Sequence, residues 1–434
     1  MRFPVNDQTN GWANALPPRI ASPAVTQDLR ADWLVIGAGY AGIAAARRLA
    51  QNEPNAKIVL VDACAVGDGA SARNSGFVID LPHNVGADLH DADAQNRALR
   101  LARAATHALD TLVNTHKIEC QWSKQGQFLA ARSMQGERVL DGFIQGLDAL
   151  NEPYTDMPAD DVAQRIGSSY YRRAIHTPGT VLMQPAALVR GLANALPDNV
   201  ELYENSPVTG IEYGDIVAAQ TKGGTIRADG VVLAVNGFAP DFGHYKNKLF
   251  FIHAFASMTR QLNDVEHASL GAPDDWGLVP AMAFGGPTLR YTMDRRLTMR
   301  SFWAHSHSGQ VTQVSYDKAR KLQAKQIKDR FPNLPPNLIT DTWMGLITLS
   351  QNFAPGFGQH SANVFTAVCQ NGVGVTKGTI SGLLAADLAT GRDNPLMADM
   401  LGLGQPARLP PRPFLDLGVR AKIKLWEHQQ RFEA

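Results

Sequence analysis

The chain has 434 residues, more than one hydrophobic core usually serves, so two domains are expected. Its 41 basic and 40 acidic residues are interspersed and leave no electrostatic footprint for nucleic acid or an acidic membrane. No apolar run nears the roughly 20 residues of a spanning helix. The N-terminus lacks a signal-peptide core, and three scattered cysteines (Cys64, Cys120, Cys369) argue against a disulfide framework, so a cytoplasmic location is expected.

Residues 1–30, rich in Pro, Asn and Ala, read as an extended arm. DWLVI (32–36) is a short buried strand, AGIAAARRLAQN a helix of strong formers, and Ala56–Ala63 a second β-branched strand. That β-α-β order with short connections marks a parallel sheet. Helical spacing follows over 86–116, a strand in QWSKQGQFLAARS and more helix over 137–166. A helix at Gln184–Leu196 precedes strands in NVELYENSPVTGIEYG and GTIRADGVVLAVNG. From Phe250 to Leu349 the chain is β-rich and aromatic, broken by a charged helix over 317–330. Strand, glycine loop and helix return in ANVFTAVCQNGVGVTKGTISGLLAADLATG, and the basic tail LGVRAKIKLWEHQQRFEA reads as an amphipathic surface helix.

Gly37-Ala38-Gly39-Tyr40-Ala41-Gly42 fits G-x-G-x-x-G between that first strand and helix. The first glycine allows the tight turn, the second lets a pyrophosphate reach the backbone, and the third lets helix pack on sheet. The helix N-terminus offers free N–H groups to the phosphates. Asp62 ends the next strand, twenty residues past Gly42, where an acid accepts from ribose hydroxyls. A dinucleotide is expected here, and this fingerprint alone leaves nicotinamide and flavin open.

The loop VGDGASARNSGFVIDLPHN (66–84) replaces the helix a nicotinamide enzyme usually places there, and can lie along an extended cofactor. With it the segment Asp32–Gly76 resembles the N-terminal signature of the D-amino-acid-oxidase-like superfamily of FAD-dependent oxidoreductases, in the branch containing gamma-glutamylputrescine oxidase. That branch carries GAGYxGL, a strand ending in acid plus Ala, then GxGASGRNGG. Here Ala72 and Ser75 stand where it has glycine. QPAALVRGLANAL, NSPVTGIE, ADGVVLAVNGF and the C-terminal glycine unit resemble further family segments in the same order, with Val373 in place of the family's histidine.

The resemblance implies an α/β fold, with a Rossmann-like FAD-binding domain of glutathione-reductase type and a β-rich α+β substrate domain. Its pieces would be an arm (1–30), an FAD domain (31–85, 176–245, 343–400), a substrate domain (86–175, 246–342) and a tail (401–434). The implied FAD contacts are Gly37 to Gly42, Asp62 with Ala63, and Gly69, Ala70, Ser71, Arg73, Asn74, Ser75 and Gly76. Further contacts are Val208, Ala234, Asn236, Gly345, and the run Asn371, Gly372, Val373, Gly374, Val375, Thr376 and Lys377. A helix N-terminus in this last loop would stabilise charge on the reduced ring. Cys369 reads as a small core residue, so the FAD is expected to be non-covalent.

The resemblance implies hydride transfer from an amine or amino acid to flavin, which needs a dry aromatic pocket and no obligatory acid or base. Phe251, Phe255, Phe302, Trp303 and Trp343 are candidates to line it. Among Arg260, Arg290, Arg295, Arg296 and Arg300, Arg290 and Arg300 alternate with apolar neighbours and are the candidates to anchor a substrate carboxylate. His83 and His305 are further candidates. No metal-spaced cluster is visible. Oxygen and another electron acceptor both remain open, as do a nicotinamide dehydrogenase and a non-catalytic flavin binder.

Overall fold

A computed structural model describes residues 1–4, 7–82, 92–282 and 286–433. Two eight-stranded sheets organise it. In the first, five strands run parallel in the order Val364–Val368, Gly224–Leu233, Leu29–Ile36, Ile58–Val61 and Val200–Tyr203. Gly356–Ser361 closes one edge antiparallel, and the ribbon Val208–Glu212 with Val217–Thr221 extends Gly224–Leu233. The β-branched run IVLV (58–61) is wholly buried because helices and this ribbon cover the sheet on both sides.

Two helices lie together against the sheet, Tyr40–Asn52 after the first glycine turn and Gly374–Ala389 after the last. Small residues let them approach closely. A Cβ on Gly382 would sit 2.0 Å from the Ala41 carbonyl oxygen, so only hydrogen fits there.

The second sheet orders its strands Ile339–Ser350, Leu249–Thr259, Leu297–Ala304, Thr288–Tyr291, Trp276–Pro280, Gln127–Ala131, Arg173–Thr177 and Thr155–Pro158. All its pairings are antiparallel except Trp276–Pro280 with Gln127–Ala131. Strand Ile339–Ser350, which an expected boundary at 342/343 would divide, lies whole in this sheet. Helix Gln313–Arg330 packs on its face and starts four residues before the expected helix.

Three readings need correction. The segment 137–166 is not continuous helix: Met134–Ala149 ends at Leu150, and strand Thr155–Pro158 precedes helix Ala159–Ile166, because the run NEPYTD supplies turn formers. The N-terminal arm is not merely extended. Helix Gly11–Asn14 buries Trp12, whose indole N–H donates to the Asn74 carbonyl, while the Asn10 amide donates to Ala72. The C-terminal helix, Phe414–Gln429, turns an apolar stripe of Leu415, Val419, Ile423 and Trp426 onto a cavity.

Candidate active site

A cavity of about 960 Å³ lies between the two sheets and collects all three glycine turns. From the first turn it takes Gly37, Ala38, Gly39, Tyr40 and Ala41, from the second Gly69, Ala70, Ser71, Arg73, Asn74 and Ser75, and from the last Asn371 to Val375. Asp62, Ala63, Val208, Ala234, Asn236 and Gly345 also line it. The turns touch one another. Ser71 Oγ accepts from the Tyr40 amide at 3.3 Å, and a Cβ on Gly39 would sit 2.5 Å from that oxygen. Gly345, from the second sheet, would place a Cβ 3.1 Å from the Arg73 carbonyl.

Four expected contacts lie off the cavity. Gly42 faces its own turn, where a Cβ would fall 1.6 Å from the Gly37 carbonyl oxygen, so it serves helix packing. Gly76, at φ +81°, turns the chain against Met183. Thr376 and Lys377 are enclosed behind the loop, and burial pushes the Lys377 ammonium down to about 8. They belong to the first turn of helix Gly374–Ala389 but do not line the cavity.

Asp62 accepts from the Ala38 amide at 2.6 Å and the Cys64 amide at 2.9 Å. Burial is the larger influence and pushes its carboxyl up to about 6, with both amides pulling the other way. Arg73 lines the cavity, yet its guanidinium is engaged by Asp7 at 2.8 Å and by the carbonyls of Asp68 and Met344. Its role is to hold the loop to the arm and to the second sheet.

The substrate candidates separate sharply. Arg300 lines the cavity with its guanidinium over the Trp303 ring, 4.6 Å from the centroid. It donates to Thr288 Oγ1, and burial pushes it down to about 10; among the described residues Nη1 has no partner and no carboxylate opposes the shift. Arg290 does not line the cavity, is 1% exposed, donates to the Gly76 carbonyl at 2.7 Å and pairs with Asp275 at 3.0 Å. It is a strut under the second glycine loop. Trp343 is likewise structural, buried beside Trp12 and donating to the Arg73 carbonyl. Phe302 packs on Phe255 outside the cavity, and Phe251 and Phe255 do not line it either. Arg260, Arg295 and Arg296 pair with Glu266, Asp264 and Asp294. His83 lies outside the described residues.

Of the expected aromatics only Trp303 lines the cavity, and the rest of its apolar wall comes from elsewhere. Phe77, Ile79, Phe250, Ile252, Val279 and Pro280 contribute, with Leu415, Val419, Ile423 and Trp426 from the terminal helix. The helical spacing of those last four was the signal available in the sequence.

The model of the DAO family, described as FAD dependent oxidoreductase, matches residues 32–388. The chain belongs to that family. This membership settles the choice that the first fingerprint left between flavin and nicotinamide. A probable oxidoreductase OrdL of Rhizobium meliloti is 27% identical over 91% of each chain. The gamma-glutamylputrescine oxidoreductase of Escherichia coli is 24% identical over 85% of each. A glycine oxidase structure from Geobacillus kaustophilus superposes with TM-score 0.73 at 18% identity, covering 88% of this chain and all of that one.

The cavity also fits FAD on its own chemistry. Gly69 and Gly374 have nothing within 4 Å of where a Cβ would be, so their open sides leave room for a ligand. Arg300 Nη1, Thr348 Oγ1 and Gln370 Oε1 are buried lining atoms without a hydrogen-bond partner among the described residues. Among the described residues no helix is long and apolar enough to cross a membrane, and no group of His, Cys, Asp and Glu could hold a metal.

Proposed function

We propose that this FAD-dependent oxidoreductase oxidises the C–N bond of a primary or secondary amine that carries an acidic group. FAD supplies the hydride acceptor, and the imine product is hydrolysed by water to an aldehyde or keto acid. The observation that carries this reading is Arg300, an enclosed guanidinium without a carboxylate partner among the described residues, opening on the cavity that gathers the glycine turns. A buried cation of this kind is stabilised by an anion brought in by the ligand.

Gly37, Gly39 and the N-terminus of helix Tyr40–Asn52 would hold the pyrophosphate, and Asp62 the ribose. Asn371 to Val375, opening helix Gly374–Ala389, would face the pyrimidine edge of the ring. On the substrate side the apolar wall excludes water and favours the neutral amine, whose lone pair must be free as hydride leaves its carbon. Among the described residues Asp62 is the single carboxylate lining the cavity and no histidine lines it, which suits a reaction without a protein base. None of the three cysteines lines it either; Cys369 is buried beneath the loop, which supports non-covalent FAD.

Anaerobic mixing of the holoenzyme with a panel of amines tests the proposal. Acidic amines should bleach the flavin band, and admitting oxygen then separates an oxidase from a dehydrogenase. A protein that refuses FAD, or a flavin that no amine bleaches, overturns it. Denaturation and filtration should release the colour from the polypeptide.

A further inference from the structure

We infer that the substrate carries two negative charges, the second read by Lys422 on the terminal helix. The inference rests on the proposed oxidation of acidic amines in this cavity. Five charged side chains line that cavity among the described residues: Arg2, Asp62, Arg73, Arg300 and Lys422. Two of the cations are neutralised within the protein, Arg2 by Asp241 at 2.9 Å and Arg73 by Asp7 at 2.8 Å. Asp62 is spent on the amides of Ala38 and Cys64, beside the first glycine turn. Arg300 and Lys422 therefore remain, and neither forms an ion pair among the described residues. Among the described residues the substrate end thus carries two positive charges and no negative one.

Lys422 is not simply one more surface lysine. Helix Phe414–Gln429 bears Arg420, Lys422 and Lys424, and of these Lys422 alone lines the cavity. It stands seven residues after Leu415 and four before Trp426, on the stripe that lines it. Its ammonium lies over the Trp426 ring, 5.0 Å from the centroid, which steers the stem along the wall. Trp303 holds Arg300 in the same way. Each cation is thus backed by a tryptophan, one deep and one at the rim, and a ligand joining them presents an anion to each. A substrate with a distal ammonium would instead meet Lys422 as a like charge.

Two measurements on the holoenzyme test this. The first titrates inert mono- and dicarboxylates of matched length, pentanoate against glutarate, and follows the shift of the flavin absorption band. The second compares anaerobic flavin reduction by N-methylnorvaline and by N-methylglutamate, which share a chain length and differ in the second carboxylate. The diacid should bind, and the diacidic amine reduce, about fivefold better at low salt, a modest factor because the lysine is solvated. Lys422→Met should bring the diacid to the monoacid's affinity, and Lys422→Arg should restore the preference. Bleaching by acidic amines with no diacid preference, or a preference that survives Lys422→Met, overturns this inference and leaves the proposed function standing. If no amine bleaches the flavin and neither acid shifts its band, both fall.

Discussion

Asp416, in the first turn of the terminal helix, accepts from Nε2 of His305 at 2.7 Å, while Nδ1 of the same ring meets the Phe251 carbonyl oxygen at 2.6 Å. The His305 side chain is wholly buried, with an acceptor at each nitrogen. Burial raises the Asp416 carboxyl, but His305 and Arg412 outweigh it and hold the group below the usual range. At the far end of the helix Glu433 accepts from the amides of Arg132 and Ser133. A helix that lines the cavity is therefore tied to the body at both ends.

Cutting the first tie should loosen the cavity without unfolding the protein. Asp416→Asn leaves a buried imidazole facing a weaker acceptor, at a cost of about 1–3 kcal/mol. Limited proteolysis should then cleave sooner within residues 409–433, and KM should rise more than kcat falls. Unchanged cleavage and kinetics would show that the helix is held by its apolar stripe alone.

Arg300 and Arg290 give opposite outcomes under the same substitution. Arg300→Met removes a cation that pairs with no carboxylate among the described residues, so the melting temperature should hold while the Kd for acidic amines rises roughly ten- to a hundredfold. Arg290→Met strands Asp275 and releases the Gly76 carbonyl, which should cost about 3–5 kcal/mol. Thermal melts alongside substrate titrations distinguish the two.

These two arginines also mark how far the sequence could be read. Both sit in β-rich runs with apolar neighbours, and local pattern is the same for each. What separates them is the partner across the chain, Asp275 for one and the open cavity for the other, and no spacing rule encodes that. The first glycine turn was legible because strand, turn, helix and Asp62 lie within one βαβ unit, where local geometry decides position. Trp343 and Phe302 misled for the opposite reason: strand alternation indicates that a side chain is buried, not which side of a sheet holds the ligand. The terminal helix was visible as amphipathic, but its apolar stripe could have met solvent, a partner or its own chain.

Acid should weaken FAD binding through Asp62. Its carboxyl sits near 6 when the site holds no ligand, and ribose hydroxyls donating to the charged form would lower it. Protons therefore compete with the cofactor below that value. Affinity should be level above pH 6 and fall as pH drops beneath it, by at most about tenfold per unit. The ligand-free protein should show the reverse: the raised pKa favours the folded, protonated form at low pH, and that stability is lost as pH rises from about 4 to 6. FAD titrations of the apoprotein across this range, repeated with Asp62→Asn, check both, since the variant should show neither dependence.

Two glycines separate the demands of the fold from those of the cofactor. A Cβ on Gly42 would lie 1.6 Å from the Gly37 carbonyl oxygen, a backbone atom that cannot move without opening the turn. Gly42→Ala should thus yield a protein that fails to fold or accumulates as aggregate. Gly69 has φ −80°, ordinary for any residue, and nothing within 4 Å of its missing side chain. Gly69→Ala should fold with an unchanged melting temperature as apoprotein, because its methyl group enters only space that a ligand would occupy. If FAD runs along the second loop as its place in the cavity requires, that methyl should weaken FAD binding by at least about tenfold, or roughly 1.4 kcal/mol. Full FAD affinity in a stable Gly69→Ala protein would mean that the cofactor passes elsewhere and that this loop faces the substrate.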